Sequence, residues 1–322
     1  MHWLTYRALA EGGQVDRVGL VIDGEVRGLE PPVRLVDLLG DDGTRLIEAG
    51  DRARQHPAEV QPLSGVQIRP PVPCPPTIRD YSSFEQHIRV GLRALGKELG
   101  DDWYEIPPFW FSNPNSVVGH DDLVEVPGNT AQMDYELEVA VIVGKPGRDI
   151  DPAAALDHIA GLCIFNDWSA RDLQHREVQC MPIGPSKGKD FASSLGPFLV
   201  TLDELADREQ DGYWDLQMTA SVNGKQYSMG NLADMYWRFG DLIAYASRTA
   251  TLVAGDVIGS GTCGTGCILE LSTTHGENAY PWLQEGDEVV LEVERLGKLR
   301  NRVIWGSQPR ALRGGRTPEG VR

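Results

Sequence analysis

The chain has 322 residues and a mass of 35.4 kDa, long enough for a large buried core in one or two domains. Its 47 acidic and 30 basic residues leave a net charge of −17, a field that repels phosphate and excludes a nucleic-acid backbone as partner. No apolar run approaches the ~20 residues of a membrane span, and MHWLTYRALAEGG lacks a basic-then-apolar leader, so a cytoplasmic protein without membrane contact is expected.

Residues 3–29 read as short strands (WLTYRAL, VDRVGLVI, EVRGL), with a turn at Asp23-Gly24 before the last. VRLVDLL, residues 33–39, reads as a short helix. The proline-rich stretch PLSGVQIRPPVPCPPTIRD is a stiff connector, which places a boundary near residue 70. YSSFEQHIRVGLRALGKEL has helical periodicity, with Ser82 or Ser83 as N-cap. MDYELEVAVIVG, residues 133–144, is a strand. DPAAALDHIA opens a helix with Asp151 as cap and Pro152 at its first position. GLCIF is a buried strand ending at Asn166-Asp167, and SARDLQHREV a helix opened by a capping box of Ser169 and Asp172. Asn223-Gly224 turns a hairpin. Residues 231–249 form one long helix capped by Asn231, and DVIGSG, CILELS, DEVVLEVERLG and KLRNRVIW return to strands. The tail from residue 309 is expected to be flexible. The five cysteines, odd in number and without CxxC, read as free thiols.

The strand at 133–144 raises the central question. Asp134, Glu136 and Glu138 occupy alternate positions and therefore share one face, opposite Tyr135, Leu137, Val139 and Val141. Such a row is either a solvated face or a site for a hard divalent cation, which prefers oxygen ligands. Asp167 is either a turn residue or a further ligand. Without HExxH or a histidine cluster, zinc is not indicated. His87 is a lone helical histidine, in the core, on the surface or catalytic. Glu270, within the apolar CILELS, is either outward-facing or buried with a raised pKa and a partner. Lys189 is a loop lysine or a holder of an anionic substrate or oxyanion. Cys263 and Cys267 are most simply small buried residues. Gly259-x-Gly261-x-x-Gly264 matches the dinucleotide fingerprint by letters, but no βαβ unit surrounds it, and a glycine-rich turn between strands is the simpler reading.

In their order, RDYSSFEQH, MDYELEVAVIVGKPGRDI, HIAGLCIFNDWSARDLQ, GPSKGKDFASSLGPFLV and VAGDVIGSGTCGTG resemble the fumarylacetoacetate hydrolase family over roughly residues 75–305. The resemblance implies a mixed β-sandwich roll with peripheral helices, an α+β and mainly β fold. It divides the chain into a small β-rich N-terminal domain (1–70), a catalytic domain (71–308) and a tail (309–322). It implies Asp80, Glu136, Glu138 and Asp167 as ligands of a divalent cation, Mg²⁺ first and Mn²⁺ or Ca²⁺ as alternatives. His87 would be the general base, oriented by Glu270, while Arg171, Gln174 and Lys189 hold substrate and stabilise charge. Tyr81, Trp110 and Thr262 would line the substrate wall. Trp110 and Tyr81 depart from the tyrosines of the eukaryotic enzymes, which implies a different substrate. The expected reaction is hydrolysis of a carbon–carbon bond in a β-diketone or acylpyruvate-like acid. The alternative is a decarboxylase, isomerase or hydratase acting on a 2-oxo acid through an enolate. A binding protein that keeps the fold without turnover is the rival of another class. A homodimer is implied by the resemblance alone.

Overall fold

Strand β1 (His2–Ala8) runs antiparallel to β2 (Arg17–Ile22), which turns back into β3 (Glu25–Gly28). At that turn Asp23 and Gly24 have φ of 50° and 79°, the left-handed pair that a two-residue hairpin requires. Helix α1 (Thr44–Gln55) follows, then β4 (Glu59–Pro62) and β5 (Val66–Arg69). Next come β6 (Ile78–Tyr81), α2 (Glu85–Ala94), β7 (Phe109–Ser112), β8 (Leu123–Val126), β9 (Leu137–Val143) and β10 (Ile159–Asp167). They are followed by α3 (Arg171–Cys180), β11 (Ser193–Val200), β12 (Gln217–Val222), β13 (Lys225–Asn231), α4 (Phe239–Ala246) and β14 (Val257–Gly259). Helix α5 (Ile268–His275), β15 (Glu288–Val293) and β16 (Gly297–Trp305) complete the order. The computed structural model describes residues 1–9, 15–94, 96–181 and 184–312, so the tail beyond 312 lies outside the described residues. Among these residues no helix is long and apolar enough to cross a membrane.

The larger sheet has twelve strands among the described residues, with a main path β4-β3-β2-β1-β11-β10-β9-β14-β6-β7. Strand β1 joins β11 with His2 opposite Val200 and Trp3 opposite Leu199, so the sheet runs unbroken across the compositional boundary near residue 70. A second sheet, β13-β12-β15-β16-β8, packs its apolar residues with one face of the first. Strand β9 is buried on both faces. Val139, Val141 and Val143 meet Met218, Leu291, Val293 and Val303 between the sheets. Ala140 and Ile142 belong to a second core with Trp3, Leu20, Leu35 and Leu46. The N-terminal segment thus covers the Ala140 end of that face. Glu136 and Glu138 share its parity further up the chain, where the site lies.

Several local readings are corrected. CILELS is not a strand: residues 268–275 form α5, whose first amides are capped from another part of the chain. The glycine run therefore does lead from a strand, β14, into a helix, but the Ile268 and Leu269 amides are taken by the Asp134 carboxylate. Residues 231–249 are not one helix. Asn231 caps a 3-10 turn at Leu232–Asp234, and α4 begins only at Phe239. The capping box at Ser169 does not form, because Ser169 Oγ donates to Asp167 O and Asp172 accepts from Thr130 and Ala131. Ser83 caps no helix; its Oγ has no partner among the described residues. The segment after Asp151 is a 3-10 helix, Pro152–His158, with the Asp151 side chain accepting from Ala153 N as expected.

Candidate metal centre and active site

Strand β14 lies between β9 and β6, with Gly259 opposite Ala140 on one side and Asp80 on the other. A Cβ at Gly259 would stand 2.6 Å from Asp80 Oδ1 and 3.3 Å from Glu138 Oε2. Glycine there leaves the space into which both carboxylates turn. Asp167 ends β10 and Glu136 precedes β9, its amide held by Asn166 Oδ1 at 2.9 Å. All four carboxylates are buried. Asp80, Glu136 and Asp167 offer oxygens that lie within 4.8 Å of one another.

Lys189 Nζ donates to Asp167 Oδ2 at 2.5 Å and also to Glu136 Oε2. Arg171 donates to Glu136 Oε1 at 2.7 Å. Trp110 Nε1 donates to Asp80 Oδ2 at 3.1 Å, and Thr262 Oγ1 to Glu138 Oε1 at 3.1 Å. Among the described residues, Asp80 Oδ1, Glu138 Oε2 and Asp167 Oδ1 accept from no donor group, and the Asp80 and Glu138 carboxyls lie close enough to share a proton. An isolated buried carboxylate is strongly disfavoured, by several kcal/mol after relaxation. The protonation tendencies follow. Burial raises Asp80 and, with the charges of Asp80 and Glu136, pushes Glu138 well above the ordinary carboxylate range. Burial also raises Asp167, against the pull of Lys189. Burial opposes ionisation of Glu136 too, but Lys189, Arg171 and His87 overcome it and bring its carboxyl to about 2. Oxygens without a donor in an all-carboxylate set fit a hard divalent cation, and Asp80, Glu136 and Asp167 are the carboxylates close enough together to share one.

Beside this cluster, α2 carries His87 and α5 carries Glu270, and the two helices pack together. His87 Nδ1 lies 3.3 Å from Glu270 Oε2, which assigns the proton to Nδ1 and leaves Nε2 as the basic nitrogen. Nε2 faces the carboxylates, 4.0 Å from Glu136 Oε1. Glu270 is buried, as one of the two sequence readings had it, but its pKa is lowered rather than raised. Burial opposes its charge, while His87 and Gln86, which donates at 3.0 Å, outweigh that cost.

Asp134 has the role that sequence reasoning left open. Its carboxylate accepts from Arg171 Nε at 2.8 Å and from the amides of Ile268 and Leu269 at 2.7 and 3.0 Å. It thus holds the N-terminus of α5 and ties it to Arg171. Burial disfavours the Arg171 charge, but Glu136 and Asp134 outweigh it and raise the guanidinium above its usual value. Gln174 accepts from Arg171 at 3.1 Å and so touches the cluster through that arginine.

The structure brings together Asp80, His87, Trp110, Glu136, Glu138, Asp167, Arg171, Gln174, Lys189, Thr262 and Glu270. The exception is Tyr81. Its neighbour Asp80 faces the site, so alternation along β6 sends Tyr81 into the core, where its hydroxyl donates to Leu242 O at 3.0 Å and its ring meets Phe109. Trp110 carries a second contact, Lys189 Nζ 5.5 Å from its ring centroid. Missed from sequence were Gln86, Asn166 and the position of Cys267, whose Sγ lies 3.8 Å from His87 Nδ1. Strand parity pointed to Asp134; adjacency to His87 was the one signal for Gln86.

The fold and this cluster define a metal-assisted enzyme of carbon–carbon bond chemistry. Residues 77–304 match the profile described as fumarylacetoacetate (FAA) hydrolase, C-terminal, and the chain belongs to that family. It is 33% identical over 243 residues to the oxaloacetate tautomerase YisK of Bacillus subtilis, covering 75% of this chain and 74% of that protein. It is 32% identical over 268 residues to the human mitochondrial oxaloacetate tautomerase FAHD2A, covering 82% of this chain and 78% of that one. A solved fumarylacetoacetate hydrolase from the psychrophile Exiguobacterium antarcticum superposes with a TM-score of 0.67 at 27% identity, covering 95% of this chain and 100% of that one.

Proposed function

We propose that the protein catalyses keto–enol isomerisation of a 2-oxo acid, with a divalent cation, Mg²⁺ in first place, held by Asp80, Glu136, Glu138 and Asp167. The observation that carries this reading is His87, with Nδ1 held by Glu270 and Nε2 turned toward the carboxylate cluster. Relatives named oxaloacetate tautomerases support isomerisation over hydrolysis. When bound, the cation supplies Lewis acidity that favours negative charge on the oxygens of a chelating 2-oxo acid. His87 Nε2 removes a proton from the carbon beside the keto group, and Glu270 stabilises the resulting imidazolium. The same nitrogen returns the proton at a different atom, so the isomerisation consumes no water. Lys189 and Arg171 favour the ionised form of Glu136. Trp110 and Thr262 hold the outer oxygens of Asp80 and Glu138 in place.

The test follows enol absorbance of oxaloacetate and related 2-oxo acids with Mg²⁺ present. Metal-dependent interconversion should fall about 10²–10⁴-fold in His87→Ala, the usual worth of a positioned acid–base group. The second reading is hydrolysis, for which the same pair would activate water, as the likeness to the Exiguobacterium hydrolase suggests. Acylpyruvates cleaved to two products without any effect on enol interconversion would decide for it. A homodimer in the cytoplasm belongs to the same proposal, and sedimentation equilibrium reads the assembly.

A further inference from the structure

We propose that His87, Cys267 and Glu270 form a second metal site, selective for a thiophilic divalent cation such as Zn²⁺, whose occupation disables the imidazole. The three ligand atoms lie within 4.8 Å of one another. Cys267 Sγ is 3.8 Å and Glu270 Oε2 is 3.3 Å from His87 Nδ1. Tetrahedral zinc with bonds of about 2.3 Å to sulfur and about 2.0–2.2 Å to nitrogen and oxygen has S···N and N···O edges of about 3.6 and 3.4 Å. The side chains already stand at nearly those edges. Gln86 donates to the other oxygen of Glu270 and so supports a ligand from behind. His87 is 15% exposed, so the cluster is not wholly sealed from solvent. The donor set, one sulfur, one nitrogen and one oxygen, differs in softness from the four carboxylates a few ångströms away, so the two sites sort cations by chemistry.

The chemistry of occupation is specific. On binding such a metal the Cys267 thiol would give up its proton, against the burial that favours the neutral thiol. The imidazole proton moves from Nδ1, now a ligand, to Nε2. Nε2 then has no lone pair for a substrate proton, and Glu270 no longer orients the ring. Binding stands on the geometry alone; the inhibitory consequence rests on the role proposed above for His87.

The full-length protein, saturated with Mg²⁺ and carrying Cys74→Ser and Cys180→Ser to remove the two exposed thiols, is titrated with Co²⁺. The expected result is a stoichiometric near-ultraviolet thiolate-to-cobalt band that persists in excess Mg²⁺, is bleached by Zn²⁺, and is lost in Cys267→Ala. Glu270→Gln, which keeps the thiol, should weaken cobalt binding at least about tenfold, since even outer partners are worth that much. Absence of the band, its survival in Cys267→Ala, or unchanged affinity in Glu270→Gln would each overturn the site. Full turnover of a 2-oxo acid with zinc bound would overturn the inhibitory role. A cobalt band in a protein that turns over no 2-oxo acid even without zinc would uphold the site and refute the proposed function instead.

Discussion

Asp134→Asn tests how the site is held. The carboxylate is fully buried and serves Arg171 and two amides of α5 at once. Asparagine keeps one acceptor oxygen for the helix but removes the charge opposite the guanidinium. Leaving a buried ion without its partner costs about 3–5 kcal/mol. The retained acceptor and the remaining contact of Arg171 with Glu136 favour the lower end. For 322 residues the unfolding entropy is about 0.7 kcal/mol per kelvin, from ~2.1 cal/mol/K per residue. The expected fall in Tm is therefore about 4–5 °C. Differential scanning calorimetry reads it, and near-ultraviolet circular dichroism reports whether the aromatic core stays intact. Because α5 carries Glu270, turnover should fall as well. A Tm within about 0.7 °C of wild type, the magnitude of a typical surface substitution, would refute the claim that Asp134 joins α5 to Arg171.

Three further outcomes follow from the same contacts. Trp110→Phe removes the donor to Asp80 Oδ2 while keeping most of the ring, and should weaken Mn²⁺ binding about 10–100-fold by calorimetry; unchanged affinity would mean that Asp80 needs no such support. Gly259→Ala puts a methyl 2.6 Å from Asp80 Oδ1 and should abolish tight Mn²⁺ binding with far-ultraviolet dichroism preserved; normal binding would show that Asp80 and Glu138 do not converge over this glycine. Glu59 tests the β1–β4 end of the larger sheet: burial opposes its charge, but hydrogen bonds from Tyr6, Arg17 and Gln61 outweigh it and lower its carboxyl. A lowered folded-state pKa contributes stability above the ordinary glutamate value and loses it as pH falls through the folded one. Urea midpoints of Glu59→Gln should therefore drop at neutral pH and converge on wild type in acid, and parallel curves would contradict this assignment.

What could be read from the chain was whatever a few adjacent residues decide. Alternation placed Asp134, Glu136 and Glu138 on one face, and Asn223-Gly224 marked a hairpin that forms as β12 and β13. Asp151 and Asn231 cap short helical turns because an Asx side chain reaches an amide two residues on. The family motifs keep their order, and Asp80, Glu136 and Asp167 from three of them lie together in the fold.

Tertiary structure decided the rest, because the deciding contacts join residues far apart in sequence. CILELS has apolar and branched residues that suit a strand, yet it is a helix whose amides meet a carboxylate 134 positions earlier. No local signal carries that pairing. Tyr81 looked like a wall of the site by motif, but the pleat of β6 gives the site to Asp80 and the core to its neighbour. The join of β1 to β11, which continues the sheet past residue 70, depends on strand pairing across nearly two hundred residues. Sequence alone determined which chemical groups the protein brings to its site. Only the packed sheet decided which of them face one another, because charge pairing, burial and helix capping there depend on distance in space rather than along the chain.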